Sequence, residues 1–532
     1  MTCFNQSIPQ LSPNNVSYIT FSNCPSELLC KVDNVLEMLC TLDVSKASGP
    51  DGISGVMLKS TACSIAPVLT KIFNLSISTG VVPDDWKTSH IVPIPKSKDC
   101  AEAKGYRPIS LLSICSKILE KHVSQLLSLH LKSSCPLSPN QWGFTAKKST
   151  TTALLSVLHD WHQQLEEKKD VCAVFFDLQK AFDTVPHRLL MGKLESLGFD
   201  THLLKWIHSY LSGRRQCVVL DGVKSTVLPV TSGVPQGSVL GPLLFIIYVD
   251  GVQEATAFNS TVVLYADDMV LYRPIQTLED YSLLQSDVNE VSNWIEHLSL
   301  NFNLGKCTFM LFSNRRGKSV QPTITLNGCP LKEVFEFKYL GVYLTSDLSW
   351  STHVAKVCSK TRRLLGMLYR NILMHSDMHT GKVLYTTFIR PHLEYANQVW
   401  DPYLLKDIEA LESVQKFALR ACCKKWNSSY DELLDQFDLP SLQSRRKYFK
   451  LCLLFKLINR LVDFPECPIA FRESRYNIRS VHQLSIWRQH SRTNRFLSSF
   501  FPSTSLLWNK TPSSVLNTTY GHFKRDIVQY CT

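Results

Sequence analysis

The sequence predicts an α+β chain in which a region of short strands and helices gives way to a long helical one. Three observations predict it. Short β-rich runs alternate with segments of helical apolar spacing up to "FKYLGVYLT"; "TVVLYADDMVLYR", at 261–273, reads as a hairpin with Asp267 and Asp268 at its turn; and beyond Trp350 the spacing is helical to about Leu461. At 532 residues the chain exceeds one compact core, so two to four domains or subdomains are expected.

The elements follow in order. Residues up to about Ser60 mix helical pattern with turns, among them Gly49, Pro50, Asp51 and Gly52. Helical spacing runs from Ile65 to Thr79, followed by a short strand, His90 to Ile94, that prolines should end. "YRPISLLSICSKILEKHVSQLLSLHL" reads as a turn leading into an amphipathic helix. "VCAVFFDLQKAFDTV" is an apolar run ending at a carboxylate, a buried strand that would deliver Asp177 to a sheet edge. Helices are predicted around His187–Leu197 and His202–Leu211, then strands in "RQCVVLDG" and "STVLPVTSG", and a helix from near Ser238. After the Asp-Asp hairpin comes a helix from about Tyr281 to Leu298, and then "CTFMLFS", "TITLNG" and "FEFKYLGVYLT" should close the sheet.

Composition narrows the class. Hydrophobic residues make up 44% and charged residues 19%, with no long polar tract or short-period repeat, which excludes disordered, collagenous and solenoid chains. The net charge of +12 gathers in "SNRRGKS", "SKTRR" and "SRRKYFK", and several such clusters favour a polyanionic partner. The eighteen cysteines lack C-x2-C spacing and read as reduced, mostly buried thiols. No signal peptide is visible, and the longest apolar run, Val239 to Val249, is too short to span a bilayer, so an intracellular chain without a membrane partner is expected.

Asp177 supplies a third acid to Asp267 and Asp268. Carboxylates delivered from adjacent strands can chelate hard divalent cations, and two Mg2+ ions about 3.5–4 Å apart would activate a hydroxyl and neutralise a departing phosphate oxygen. Asp183 and Asp250 compete as the third ligand; the one lies past the strand end and the other follows a helix, which favours structural roles for both.

These residues also carry a family resemblance. "AVFFDLQKAFDTVPH", "SGVPQGSVLGPLLF", "LYADDMVLY", "LNFNLGKCTFM" and "FKYLGVYL" resemble the ordered palm motifs of reverse transcriptases of non-LTR (LINE-type) retrotransposons. "YRPISLL" resembles the fingers motif, and "RPHLEYANQVWDPYLLKDIEALESVQKFALR" the helical segment that follows the polymerase, so the resemblance runs from about Lys46 onward. It implies a right-hand polymerase of fingers, palm with antiparallel sheet and helical thumb, plus a helical C-terminal region. The implied boundaries are an N-terminal extension at 1–60, fingers at 61–165, palm at 166–345 within a reverse transcriptase domain of about 88–345, thumb and connection at 346–465, and a C-terminal segment at 466–532.

The resemblance also implies roles. Asp177, Asp267 and Asp268 would be catalytic and would hold two Mg2+ ions, with Mn2+ as the alternative, helped by the carbonyl of Leu178. Phe182 would exclude a 2′-hydroxyl, Gln236 and Gly237 would meet the nucleotide with Gly233 beside them, Arg107 would bind the triphosphate, and Lys306 would assist pyrophosphate departure. Phe337, Lys338, Tyr339, Leu340 and Gly341 would grip the primer end. The implied partners are an RNA template, a DNA primer and deoxynucleoside triphosphates, with endonuclease activity supplied separately because too little chain precedes Lys46 to hold that domain. Two alternatives stay open: a viral-type RNA-dependent RNA polymerase, which should carry a polar side chain at 182, and a decayed or domesticated copy that binds RNA without synthesis.

Overall fold

The computed structural model describes residues 24–96, 102–258, 260–313, 323–465, 467–472 and 484–531. The N-terminal stretch through residue 23 and the basic run after Ser313 lie outside the described residues. The chain enters its strands in the order β1 (Thr88–Pro95), β2 (Tyr106–Leu111), β3 (Asp170–Phe176), β4 (Arg215–Leu220), β5 (Val223–Lys224), β6 (Leu228–Pro229), β7 (Thr261–Tyr265), β8 (Asp268–Ile275), β9 (Thr308–Phe312), β10 (Thr325–Leu326), β11 (Cys329–Pro330), β12 (Lys332–Glu333), β13 (Glu336–Tyr339) and β14 (Val342–Thr345). They fall into two compact units.

The first unit holds the described residues up to Pro136 together with Phe182–Tyr248. Its sheet runs β2-β1-β4, with β5 and β6 paired to β4. Two expectations need correction here. "YRPISL" is a strand rather than a turn, and β1 runs from Thr88 to Pro95, past the expected end at Ile94 and into Pro95. β1 pairs with β4 only from Thr88 to Ile91, so one flank of β1 asks for no backbone donor where the prolines lie. The described residues from 24 to Ser60 are packed into this unit: the Cys30 N–H donates to Asn74 Oδ1 (2.7 Å), and a His122 ring nitrogen bonds Leu28 O (2.9 Å). The helices predicted near His187, His202 and Ser238 form at His187–Ser196, Thr201–Leu211 and Leu240–Val249.

The second unit, Leu137–Ala181 with Val249–Thr532, is built on the sheet β12-β9-β3-β8-β7. β3 is antiparallel to both β8 and β9 and all seven of its residues are buried, so the strand that ends at Asp177 is central and not at an edge. The helix Thr150–Glu166 is closed at its start by a reciprocal capping box between Ser149 and Thr152. It buries Trp161 in the sheet's core, 4.4 Å from the Phe312 ring centroid. A further correction concerns "FEFKYLGVYLT", which forms the separate hairpin β13–β14, while the sheet gains the two-residue β12. The core then runs into the helices Ser351–Leu368, Leu405–Cys423 and Leu442–Ile458. No helix among the described residues is long and apolar enough to cross a membrane.

The basic clusters take opposite courses. Lys360, Arg362 and Arg363 are exposed on the Ser351–Leu368 helix. In "SRRKYFK", by contrast, Arg446 is only 2% exposed; its Nε donates to Asp401 Oδ1 (2.8 Å), while Lys450 Nζ donates to Asp401 Oδ2 (2.6 Å) and Arg445 pairs with Glu394. That cluster is therefore an internal ion network rather than a surface for a polyanion. Asp401→Asn leaves two buried cations without their shared carboxylate and is expected to destabilise the fold by about 3 kcal/mol. Urea denaturation checks this, and a loss below about 1 kcal/mol would mean that solvent already screens the pair.

Candidate active site

The pairing of β3 with β8 sets the geometry. Phe176 lies opposite Met269, so Asp177, just past the end of β3, and Asp268, the first residue of β8, emerge at the same end of the sheet. Tyr265 pairs with Asp268, which makes Ala266 and Asp267 the two-residue turn. The expectation of both aspartates at the turn is thus half right: Asp268 already belongs to the strand. Ala266 takes the left-handed conformation, φ 57°, in this turn.

The loop before β9 wraps Asp177. Its main-chain N–H faces Cys307 Sγ (3.4 Å), its carbonyl accepts from Asn303 N–H (2.7 Å), and its carboxylate accepts from Asn303 Nδ2 (3.0 Å) and lies 3.4 Å from Lys306 Nζ. Lys306 is exposed and is directed at a carboxylate. Leu178 forms an antiparallel bridge with Phe302, closed by Gln179 N–H to Asn301 O and Asn303 N–H to Asp177 O, so the bridge does not use the Leu178 carbonyl.

Sequence reasoning missed the support beneath the turn. Asn140, Gln141, Trp142 and Gly143 run beside β7, with Leu264 N–H donating to Asn140 O (3.0 Å) and Trp142 N–H to Leu264 O (2.8 Å). Gln141 is fully buried, and its Oε1 accepts from Gly143 N–H (2.9 Å) and from Ala266 N–H (3.2 Å). A side chain at 143 would put its Cβ 2.4 Å from Ala266 N, so only glycine lets this segment approach the turn. The one available signal was a Gly beside a buried-type aromatic in "NQWGF".

Of the nucleotide-site candidates, Arg107, Phe182, Gln236 and Gly237 lie in the first unit and Lys306 in the second. Phe182, half-buried, stacks on Phe245 with centroids 4.3 Å apart. Gln236 Nε2 donates to Asp183 Oδ1 (2.8 Å), and the Gln236 carbonyl accepts from Ser110 N–H (2.7 Å). Gly233 and Gly237 both take positive φ, 84° and 111°. Arg107 is exposed on β2, opposite Ile94. Asp183 Oδ1 accepts from Gln236 Nε2, and Asp250 Oδ1 accepts from Ser138 N–H (3.0 Å) in the second unit. The second unit also carries the primer-hairpin candidates on β13–β14. Phe337 stacks on Phe175 (4.1 Å), Tyr339 is buried, Lys338 is exposed, and Leu340 and Gly341 form the turn.

Three acids at one sheet end repel. Burial of its base, then repulsion from Asp267 and Asp177, pushes the Asp268 carboxyl up to about 6, although the side chain keeps an exposed face. Among the described residues no group of three or more His, Cys, Asp or Glu is already drawn together as a cation cage. The unbalanced charge of Asp177, Asp267 and Asp268 suits a hard cation. Because the folded value lies above the ordinary 3.8, the folded chain holds this proton more tightly, and stability falls as pH rises between the two values and stays lower above them. In chelator, Asp268→Asn is expected to exceed the parent at pH 7 by on the order of 1 kcal/mol, screening at the exposed face being allowed for, with the gain vanishing below about pH 3.5. Urea denaturation at the two pH values checks this; an equal difference at both would show that the carboxyl is not raised.

Residues 94–344 match the family described as reverse transcriptase (RNA-dependent DNA polymerase). The chain is 29% identical over 399 residues to the RNA-directed DNA polymerase from mobile element jockey of Drosophila melanogaster, covering 73% of this chain and 43% of that protein. The corresponding jockey protein of Drosophila funebris is 30% identical over 382 residues, covering 69% and 41%. This chain thus spans less than half the length of these curated relatives. A solved structure of apo telomerase from Candida tropicalis, truncated from the C-terminal domain, aligns at TM-score 0.34 and 14% identity over 53% of this chain and 59% of that one, too slight a likeness to argue from. Three carboxylates at one end of an antiparallel sheet thus lie inside a segment, residues 94–344, that matches the reverse transcriptase family, and the relatives that resemble the chain are RNA-directed DNA polymerases of mobile elements.

Proposed function

We propose that this chain is an RNA-directed DNA polymerase that extends a DNA primer on an RNA template with deoxynucleoside triphosphates. The observation that carries the reading is the convergence of Asp177, Asp267 and Asp268 at one sheet end inside the matched region. The sheet of the second unit would be the palm, the first unit would supply fingers, and the helices after Trp350 the thumb. Lys360, Arg362 and Arg363 would offer that thumb's charge to a phosphate backbone.

The donor set fits a hard divalent cation: hard oxygens, excess negative charge and a neighbouring carbonyl not used in its own bridge. Asp177, Asp267, Asp268 and the Leu178 carbonyl would hold two Mg2+ ions, or Mn2+. When bound, such ions supply charge neutralisation for nucleotidyl transfer. The chain's own residues do the rest. Asn303 and Lys306 orient the Asp177 carboxylate, and Lys306 would also stand ready for the departing pyrophosphate. Arg107 would take the triphosphate with a forked, always charged group. Gln236, held by Asp183, and Gly237 would border the incoming nucleotide. Phe182, braced on Phe245, would exclude a 2′-hydroxyl by contact.

Primer extension by the purified chain on an RNA template tests the reading directly. Asp267→Asn is expected to lower synthesis about a hundredfold or more while template binding, which rests on basic surface, stays near the parent's. Near-parental extension would remove Asp267 from the chemistry. For sugar choice, Phe182→Val is expected to raise the ratio of ribonucleotide to deoxyribonucleotide incorporation efficiency about tenfold. An unchanged ratio would leave Phe182 as a packing residue for Phe245.

A further inference from the structure

The β13–β14 hairpin closes with Tyr339 opposite Val342, and its two turn residues, Leu340 and Gly341, both take positive φ, 44° and 88°. Such a turn suits the right-handed twist of a hairpin and accepts glycine readily, but a leucine in the left-handed region is disfavoured by its own Cβ. Something outside the hairpin has to hold it. That contact comes from 55 residues further along, in the "RPHLEYANQVW" segment.

The Tyr395 hydroxyl bonds Leu340 O at 2.9 Å and Thr150 Oγ1 at 3.1 Å. Its ring occupies the place a side chain at 341 would need: a Cβ there would lie 2.8 Å from Tyr395 Cε1. Tyr395 is itself fixed from behind. Its carbonyl accepts from the indole N–H of the fully buried Trp400 (2.7 Å), and its N–H donates to Pro391 O (3.0 Å). Thr150 opens the helix whose Trp161 packs under the catalytic sheet. One phenol hydroxyl therefore ties the turn, the helix under the sheet and the helical region together. With 43% of its surface exposed, Tyr395 is no core residue, so its burial alone does not account for it. It also lies close enough to Tyr265, at the start of the aspartate turn, to act with burial in raising that phenol's pKa.

We propose that Tyr395 is a positioning residue through which the helical region sets the Leu340–Gly341 turn, and with it the place of the primer terminus. This rests on the reading of residues 337–341 as the hairpin that holds the primer. Tyr395→Phe keeps the ring against Gly341 and removes only the hydroxyl. In primer extension by the full chain on an RNA template, KM for the primer–template is expected to rise about fivefold, the equivalent of one neutral hydrogen bond, with KM for the deoxynucleotide unchanged. The thermal midpoint should stay within about 2 °C of the parent's. Lys338→Ala, at the exposed position of the same hairpin, is measured alongside as the test of the hairpin itself. If Lys338→Ala raises the primer–template KM and Tyr395→Phe does not, Tyr395 has no positioning role and the proposal falls alone. If neither variant raises it, the primer-hairpin reading fails and takes the proposal with it. Equal rises in both KM values, or a lowered thermal midpoint, would make Tyr395 a general structural support and likewise overturn it.

Discussion

The register between β3 and β8 is the constraint on which the candidate site depends. Side chains alternate along a strand, so sliding one strand by a single residue would send its inward-facing set outward and part Asp177 from Asp268. What prevents the slip is burial: β3 is enclosed on both flanks by β8 and β9, and its Phe175 is wedged among Trp161, Phe337 and Tyr339. A strand with no solvent-facing side cannot shift without opening the core. Within β3, charge is confined to its first residue, Asp170, and the next carboxylate, Asp177, stands just past the strand's other end. The fold accepts the repulsion among three acids because apolar packing, rather than the acids, sets their positions.

Much of this was legible in the sequence, and the failures are instructive. An apolar run ending in Asp, and two β-rich runs around Asp-Asp, announce their strands through composition alone, because burial on both faces leaves no polar alternation to confuse. The turn within "YADDM" sits one residue earlier than the aspartate pair suggests, because Asp is the more familiar occupant of the left-handed region whereas here Ala266 takes it, held by the bond its N–H donates to Gln141 Oε1. That bond joins residues 125 apart, and no local pattern can show it. "YRPISL" misleads for another reason: Pro108 suggests a turn, yet it pairs with Pro93, and two residues without N–H groups face each other at no loss of hydrogen bonds.

Charge was the least legible property. Lys360, Arg362 and Arg363 look like Arg445, Arg446 and Lys450 in composition, and both sets sit on long helices. The second set is drawn inward by Asp401 and Glu394, which arrive from elsewhere in the chain and cannot be foreseen from neighbouring residues. A basic run on a helix therefore reports a polyanion surface only when no distant carboxylate claims it. Of the basic runs that the structure describes, the sequence cannot say which has been claimed.

The flanks of the second unit's sheet have a consequence beyond the site they frame. A sheet ends in rows of unpaired backbone groups that can recruit a second chain and seed aggregation. Here the β7 side is occupied by the Asn140–Trp142 segment, which pairs with Leu264. The opposite side ends in β12, only two residues long and made of Lys332 and Glu333, which bear charges that discourage a neighbouring strand. The segment that steadies the aspartate turn thus also stops the sheet from growing. Loosening it would cost more than the geometry of the turn: it would uncover a ready template for association between copies, at the strand beside the acids.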